Sequence, residues 1–343
     1  MMKLDMRLSR WPVVMIAAVL VMMLPAAAMA IHAVEGTLPE VPEGGTASFA
    51  LHGSVGMLDG EAHEYVYLPQ IDHKMSELIW DLSGITMAGV VGSINFYNVF
   101  RVNAGYWTAM TEGDGGMEDY DWYLFDRPDT WTHQSIHNVK IVGSSIFDLN
   151  VSAQLYAAGA VAFRGMIGIK RDYWQWEDAV LEFTYSSLGN PMGEPVAGYS
   201  YEQINPNAIR DLKVQGDGSR AIDYEQTFTI PYIGASMEGT LGGLRVNGYL
   251  TLSVAVAAED ADVHRLREIH FKETFENGGY VGIGASALYN LSDSLYAMVS
   301  YEYQSIPETT GDMEIAETGE KSIDAAGISN EHTTLSASVG MAF

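Results

Sequence analysis

The sequence predicts an all-β chain, a ten-stranded antiparallel transmembrane β-barrel with long extracellular loops. Three observations carry this reading. In the last fourteen residues, Leu335, Ala337, Val339, Met341 and Phe343 are apolar, while Ser336, Ser338, Gly340 and Ala342 between them are small or polar. A period of two places the two sets on opposite faces of a strand, one meeting a greasy phase and the other not. A chain that ends on such a strand with a terminal Phe has the form of an outer-membrane barrel, with the odd-numbered residues of 335–343 toward lipid. The N-terminus supplies the second observation, an export signal. The third is that the same alternation recurs along the chain between connections of two contrasting lengths.

At the N-terminus, Lys3, Arg7 and Arg10 precede an apolar run from Trp11 to Leu24, then Pro25 and the small-residue stretch Ala28-Met29-Ala30. Residues 1–30 read as a secretory signal peptide with an A-x-A cleavage site. The apolar run is shorter than the roughly 20 residues of a spanning helix, and no later run is longer. Residues 31–343 are therefore expected to form one barrel domain. Alternating strands are expected around Ala47–Met57, Phe147–Leu155, Leu244–Val256 and Leu295–Tyr303. A helix would scatter these apolar residues around its whole circumference. Short turns fall near Asn98-Val99, Ala158-Gly159, Gly242-Gly243 and Ser292-Asp293, and long polar stretches near 68–75, 112–145, 178–217, 260–268 and 305–329. Four short turns alternating with five long connections make ten strands, with the short turns periplasmic. No regular structure is expected from Ser186 to Gly198, which is rich in Gly, Pro, Asn and Ser. Side chains largely fill the lumen of so small a barrel, which excludes a wide diffusion pore.

The chain carries 18 basic and 44 acidic residues, and loss of residues 1–30 removes three and one of these, leaving a formal charge of −28. Nucleic acid and anionic lipid surfaces are poor partners for such a chain, whereas cationic peptides or proteins are attracted to it. There is no cysteine, which excludes a disulfide framework and thiol chemistry.

Two clusters stand out, Met117-Glu118-Asp119-Tyr120-Asp121-Trp122 and Asp260-Ala261-Asp262-Val263-His264. Both lie where a strand meets a long connection. Residues at i and i+2 of an extended chain share a face about 7 Å apart, so each pair can point into the barrel mouth. Asp262 can orient the imidazole of His264, which can take a proton from water. Of the like-charged Asp119 and Asp121, one tends to stay protonated, so that one carboxyl can hold water while the other donates to a developing oxyanion. By themselves the clusters are a weak signal, since a chain with 44 acids yields D-x-D by chance, and a solvated acidic loop is the simpler reading of each. No D-x-D-x-D-G calcium pattern follows either, and neither metal nor cofactor is expected.

The chain resembles the omptins, ten-stranded outer-membrane proteases of Gram-negative bacteria, at collinear places. These are Asp119 to Trp122, Trp131-Thr132 with Ser135 and His137, Phe147-Asp148-Leu149-Asn150, Pro231-Tyr232-Ile233-Gly234, Asp260 to His264, and Ala326-Gly327-Ile328. The resemblance runs from about Ser48 to Phe343. It implies that Asp262 and His264 form a dyad activating water opposite Asp119 and Asp121, and that Glu64 and Asp260 line a pocket for a basic residue before the scissile bond. Ser135 and His137 match positions in the same groove, with Ser135 a polar neighbour and not the nucleophile. His133 stands where the family often has an acid associated with a basic residue after the bond. The resemblance further implies an active site facing outside, a monomer, and lipopolysaccharide as a partner on which activity depends. The stretch that best matches the family's lipopolysaccharide site is Ile169-Lys170-Arg171-Asp172-Tyr173, where Lys170 and Arg171 offer basic charge, but a family arginine before the Pro-Tyr-Ile-Gly motif is replaced by Thr227.

Three function classes follow: an endopeptidase cleaving after basic residues, a non-enzymatic structural or adhesive surface barrel in which the four polar residues are dispensable, and a narrow cation channel using the acids as an electrostatic funnel.

Overall fold

The structure, a computed structural model, describes Val41 and residues 45–186 and 209–343. The signal-peptide reading of residues 1–30 and the irregular stretch after Ser186 lie outside the described residues. Thirteen antiparallel strands follow in chain order: β1 (Ala47–Leu68), β2 (His73–Asp81), β3 (Ile85–Phe96), β4 (Phe100–Ala109), β5 (Gly116–Asp121), β6 (His133–Ala158), β7 (Val161–Tyr185), β8 (Leu212–Gln215), β9 (Ile222–Leu241), β10 (Leu244–His264), β11 (Ile269–Asn290), β12 (Leu295–Ile315) and β13 (Glu320–Ala342). Ten of them close a ring, β1-β3-β4-β6-β7-β9-β10-β11-β12-β13, with β13 returning to β1.

The other three do not change that count. β2 continues the line of β3 beside β1, and β5 continues that of β4 beside β6, so two barrel strands are each interrupted once. The breaks lie side by side: Asp114 N–H donates to Ser83 O at 3.3 Å, with Gly84 and Gly113 both at positive φ. Backbone groups freed at the breaks find other partners, Gly84 N–H on Asp59 Oδ1 (2.9 Å) and Gly116 N–H on Asp81 Oδ2 (2.8 Å). β8 is a short return strand on the upper end of β7.

Closure depends on the terminal strand. Seventeen residues of β1 pair with β13 from Ala50↔Ala342 to Val66↔Ala326. The last residue is held too, Phe49 and Phe343 exchanging both backbone hydrogen bonds. With the ring of ten closed, none of its strands, among the described residues, is left as an open edge. Ser336 and Ser338 are buried in the lumen, whereas Val339, Met341 and Phe343 face outward, as the alternation requires. Outward Val55, Ile167, Ile233, Val254 and Ile283 extend this apolar belt around the barrel. The short connections fall where expected; Gly242 and Gly243, both at positive φ, make the two-residue turn between Leu241 and Leu244.

Inside the belt the lumen is filled by charge. The Lys170 ammonium lies 3.4 Å from Asp172 and 3.6 Å from Glu302, and it also donates to Gln304. Lower down, Glu238 accepts from Arg101 and lies 3.9 Å from Arg164. This leaves no open channel at those levels.

The structure corrects two expectations. Much of the stretches expected as long loops is strand: β12 and β13 run on to a four-residue turn at 316–319, and β10 and β11 to one at 265–268. A polar outer face shows only that a strand has left the membrane, since the backbone ladder continues as long as partners remain. Lys170 does not offer its charge to lipid, because consecutive strand residues point oppositely; Arg171 is outside and Lys170 is fully enclosed in the lumen.

Val339 sits near the middle of the belt, where an arginine costs about 2–4 kcal/mol. We expect Val339→Arg to lower sharply the yield of heat-modifiable barrel in vesicles, and Ser338→Ala, on the lumen side, to leave it unchanged.

Candidate active site

The strands project beyond the belt, and their inward side chains there build a floor, then a ring of acids. Trp80 and Trp176 pack on Tyr224, ring centroids 5.1 and 5.7 Å from it and 5.9 Å from each other, all three buried. These large side chains close the barrel and lower the local dielectric above them.

Over this floor lies a cavity of about 370 Å³, and Glu64, Asp119, Asp121, Ser135, Asp262 and His264 all contribute to its wall. Register explains the gathering. Glu64 of β1 faces Leu78 of β2; Leu78 faces Asp119 of β5, which faces Ser135 of β6. Asp262 and His264 come from the end of β10, across from Tyr224 and Ile222 of β9. Both sequence clusters thus lie within strands, and the i, i+2 spacing puts each pair on the inner face.

Asp262 is fully enclosed and its Oδ2 lies 2.5 Å from His264 Nε2, while the imidazole keeps about a fifth of its surface exposed. The Arg267 guanidinium, in the turn after β10, donates to His264 Nδ1. That contact sets the tautomer: Nδ1 accepts, so Nε2 carries the proton given to Asp262. Opposite, Ser76 Oγ donates to Asp119 Oδ1 at 2.9 Å. Burial raises the Asp119 carboxyl, opposed by the Ser76 hydroxyl and neighbouring basic side chains. Asp121 is raised well above the usual range, by burial first and then by the charge of Asp119. The two carboxyls are therefore unequal, Asp119 giving up its proton before Asp121.

Glu64 is buried with Oε2 lacking a hydrogen-bond partner. Asp260 does not reach the cavity wall; it lies behind it, where Oδ2 accepts from the Tyr224 hydroxyl at 2.9 Å. Its cross-strand neighbour is Glu273, a third enclosed acid, which keeps its own proton and shares it with Asp260. Burial lifts all three carboxyls, Asp260 to about 7, and Asp262 and Asp260 add to the rise of Glu64. Three enclosed acids without a counter-ion are costly to ionise together, so they favour their protonated forms.

On the β6 side, His133 lines the cavity between Tyr123 and Tyr185, and burial lowers its pKa to about 4, so it is neutral at pH 7. Ser135 Oγ lies 2.7 Å from His137 Nε2, and His137 Nδ1 lies 2.5 Å from Asp178 Oδ2. Sequence reasoning missed Asp178, Glu273 and Arg267. The first two follow from alternation extended past the belt: Asp178 shares the inward face of Asp172, Trp174 and Trp176, and Glu273 that of Phe275. Among the described residues, no group of three or more His, Asp or Glu side chains is arranged to hold a metal.

Residues 46–343 match the family model of the omptin family. The chain is 28% identical over 316 residues to the plasminogen activator of Yersinia pestis, covering 88% of this chain and 92% of the relative. It is 27% identical over 268 residues to the outer membrane protease IcsP of Shigella flexneri, covering 77% and 79%. In fold it is similar to the crystal structure of the outer membrane protease OmpT from Escherichia coli, with a TM-score of 0.76 and 21% identity over 90% of this chain and 99% of that one.

The raised carboxyls bind stability to pH. A carboxyl whose folded pKa exceeds its unfolded value keeps a proton that the unfolded chain has released, so stability is greatest at acid pH and falls as pH rises through that window. For Asp260 the window runs from about pH 4 to about pH 7. The detergent-solubilised protein should unfold at lower temperature at pH 8 than at pH 5, and Glu273→Gln should flatten the slope. Equal or rising stability toward pH 8 would contradict the assignment.

Proposed function

The chain belongs to the omptin family, and on that premise we propose that it is an outer-membrane endopeptidase that cleaves peptides after basic residues with water as the nucleophile. The observation that carries this reading is the convergence of Asp119, Asp121, Asp262 and His264 on one cavity, next to buried acids that lack a counter-ion.

In this reading the basic side chain of a substrate enters toward Glu64, with Asp260 and Glu273 behind it supplying field. A guanidinium or ammonium relieves the repulsion among these carboxyls, whereas a neutral side chain leaves them desolvated and uncompensated. Water between His264 and Asp119 loses a proton to imidazole Nδ1 as its oxygen attacks the scissile carbonyl carbon. Asp262 holds the imidazole through Nε2 and stabilises the imidazolium formed. The protonated Asp121 donates to the oxyanion, and the imidazolium returns its proton to the leaving amine as the C–N bond breaks. Arg267 occupies Nδ1 in the structure, so it turns aside when water takes that position. Neutral His133 attracts a cation less than a carboxylate does, giving looser selection after the bond than an acid would impose. Lipopolysaccharide as a partner and a monomeric working form complete the proposal, with Arg171 the outward basic group of the matched stretch.

A fluorogenic peptide with Arg before and after the scissile bond, given to the lipopolysaccharide-reconstituted protein, tests the reading. His264→Ala and Asp119→Ala should each lower kcat/KM by about a thousandfold or more while leaving a heat-modifiable barrel. Ser135→Ala should keep about a tenth of the activity. Full activity in the first two variants would favour the structural barrel, and a stable acyl-enzyme on Ser135 would exclude the water mechanism.

A further inference from the structure

Beside the proposed catalytic quartet runs a second chain of hydrogen bonds, Asp178 to His137 to Ser135. Asp178 lies on β7, and its carboxylate is fixed from both ends. Oδ1 accepts from the backbone N–H of Ala221 (2.7 Å) and Ile222 (3.0 Å), while Oδ2 lies 2.5 Å from His137 Nδ1. The Asp178 side chain is completely enclosed and that of His137 nearly so. His137 Nε2 in turn lies 2.7 Å from Ser135 Oγ. The sequence contains no sign of this link, because Asp178 is forty-one residues from His137 and meets it only through β6–β7 pairing.

We propose that Asp178 is a positioning residue that, through His137, holds Ser135 as a hydrogen-bond acceptor for the attacking water. The inference rests on the protease reading above. The logic is one of donors and acceptors. A carboxylate whose oxygens all accept requires the proton on His137 Nδ1, and Nε2 is then the ring atom that pairs with the Ser135 hydroxyl. In the proposed arrangement Nε2 accepts from that hydroxyl, so the seryl oxygen turns its remaining lone pairs outward. Ser135 is the cross-strand partner of Asp119, and both line the cavity. Water there has one proton directed to His264, and its second O–H lies between two acceptors, the Asp119 carboxylate and the seryl oxygen across the strand from it. Ser135 supplies the second of these, with no bond made or broken at Oγ. The arrangement has the connectivity of a Ser-His-Asp triad, but its role here is to orient a hydroxyl.

The substitution that isolates this role is Asp178→Asn. The amide oxygen still accepts from Ala221 and Ile222, which hold it against flipping, so the amide NH₂ faces His137 Nδ1. Nδ1 must then accept, Nε2 donates to Ser135, and the hydroxyl proton swings into the cavity. A strap for β9 survives this change, whereas an acceptor for water does not. With the Arg-containing fluorogenic peptide and the full reconstituted protein, kcat of Asp178→Asn should fall about tenfold, the value of one neutral hydrogen bond. KM should stay within about twofold. The double variant Ser135→Ala/Asp178→Asn should match Ser135→Ala within about twofold, since both remove one function. His137→Phe, which leaves the strap untouched, should reproduce the same pattern and replaces Asp178→Asn if that variant does not yield a heat-modifiable barrel. Unchanged kcat in an active background, or losses that multiply in the double variant, would overturn the proposal alone. A wild-type protein that cleaves no peptide would overturn it together with the protease reading.

Discussion

Carboxylates held away from water without a counter-ion, above a plug of aromatic rings, set the terms for the rest of this molecule. Trp80, Trp176 and Tyr224 seal the barrel beneath the mouth, and buried Glu64, Asp260 and Glu273 stand over that seal. Several like charges in a low-dielectric site cannot all ionise cheaply, so the site retains protons until a cation enters. The proposed substrate preference, the pH-dependent stability and the division of Asp119 from Asp121 all derive from this one electrostatic constraint. The polar lumen below differs in kind: Lys170 meets Asp172 and Glu302, and Arg101 meets Glu238. There the charges are compensated and serve packing.

The barrel makes such a site tolerable. Groups that destabilise their surroundings need a scaffold that over-determines their positions, and a closed ring of ten strands supplies it. Side chains from β1, β5 and β6, which lie on one contiguous run through β2, meet those of β10 from farther round the ring in one cavity. The paired breaks at 82–84 and 110–115 lie between the membrane belt and the site, where two strands change course without leaving the sheet.

How much of this the sequence discloses depends on what its signals encode. Alternation at Leu335 to Phe343 encodes which face meets lipid, and that face is as expected; the short turns, fixed by local residues such as Gly242 and Gly243, likewise. Alternation also brings Asp262 with His264 and Asp119 with Asp121 onto inward faces. Loop extent is not encoded by polarity: polar residues begin at Ser305 and Asp260, whereas pairing sustains β12 to Ile315 and β10 to His264. Lys170 and Arg171 are neighbours in sequence and not in space, because the same period of two that orients the C-terminal strand sends Lys170 inward. Asp178 and Glu273 were hidden for a different reason: their roles arise from partners across strands, His137 and Asp260, and a single sequence has no cross-strand register to show them.

The most direct test of the electrostatic claim changes the charge of the substrate and little else. Two peptides that differ only in arginine or citrulline before the scissile bond have nearly the same shape, but citrulline is neutral. At pH 7, kcat/KM for the arginine peptide should exceed that for the citrulline peptide by about a hundredfold or more, because only the cation compensates the buried carboxyls. Comparable cleavage of the two would contradict the account, showing that shape and not the uncompensated charge of the mouth governs which bond is cut.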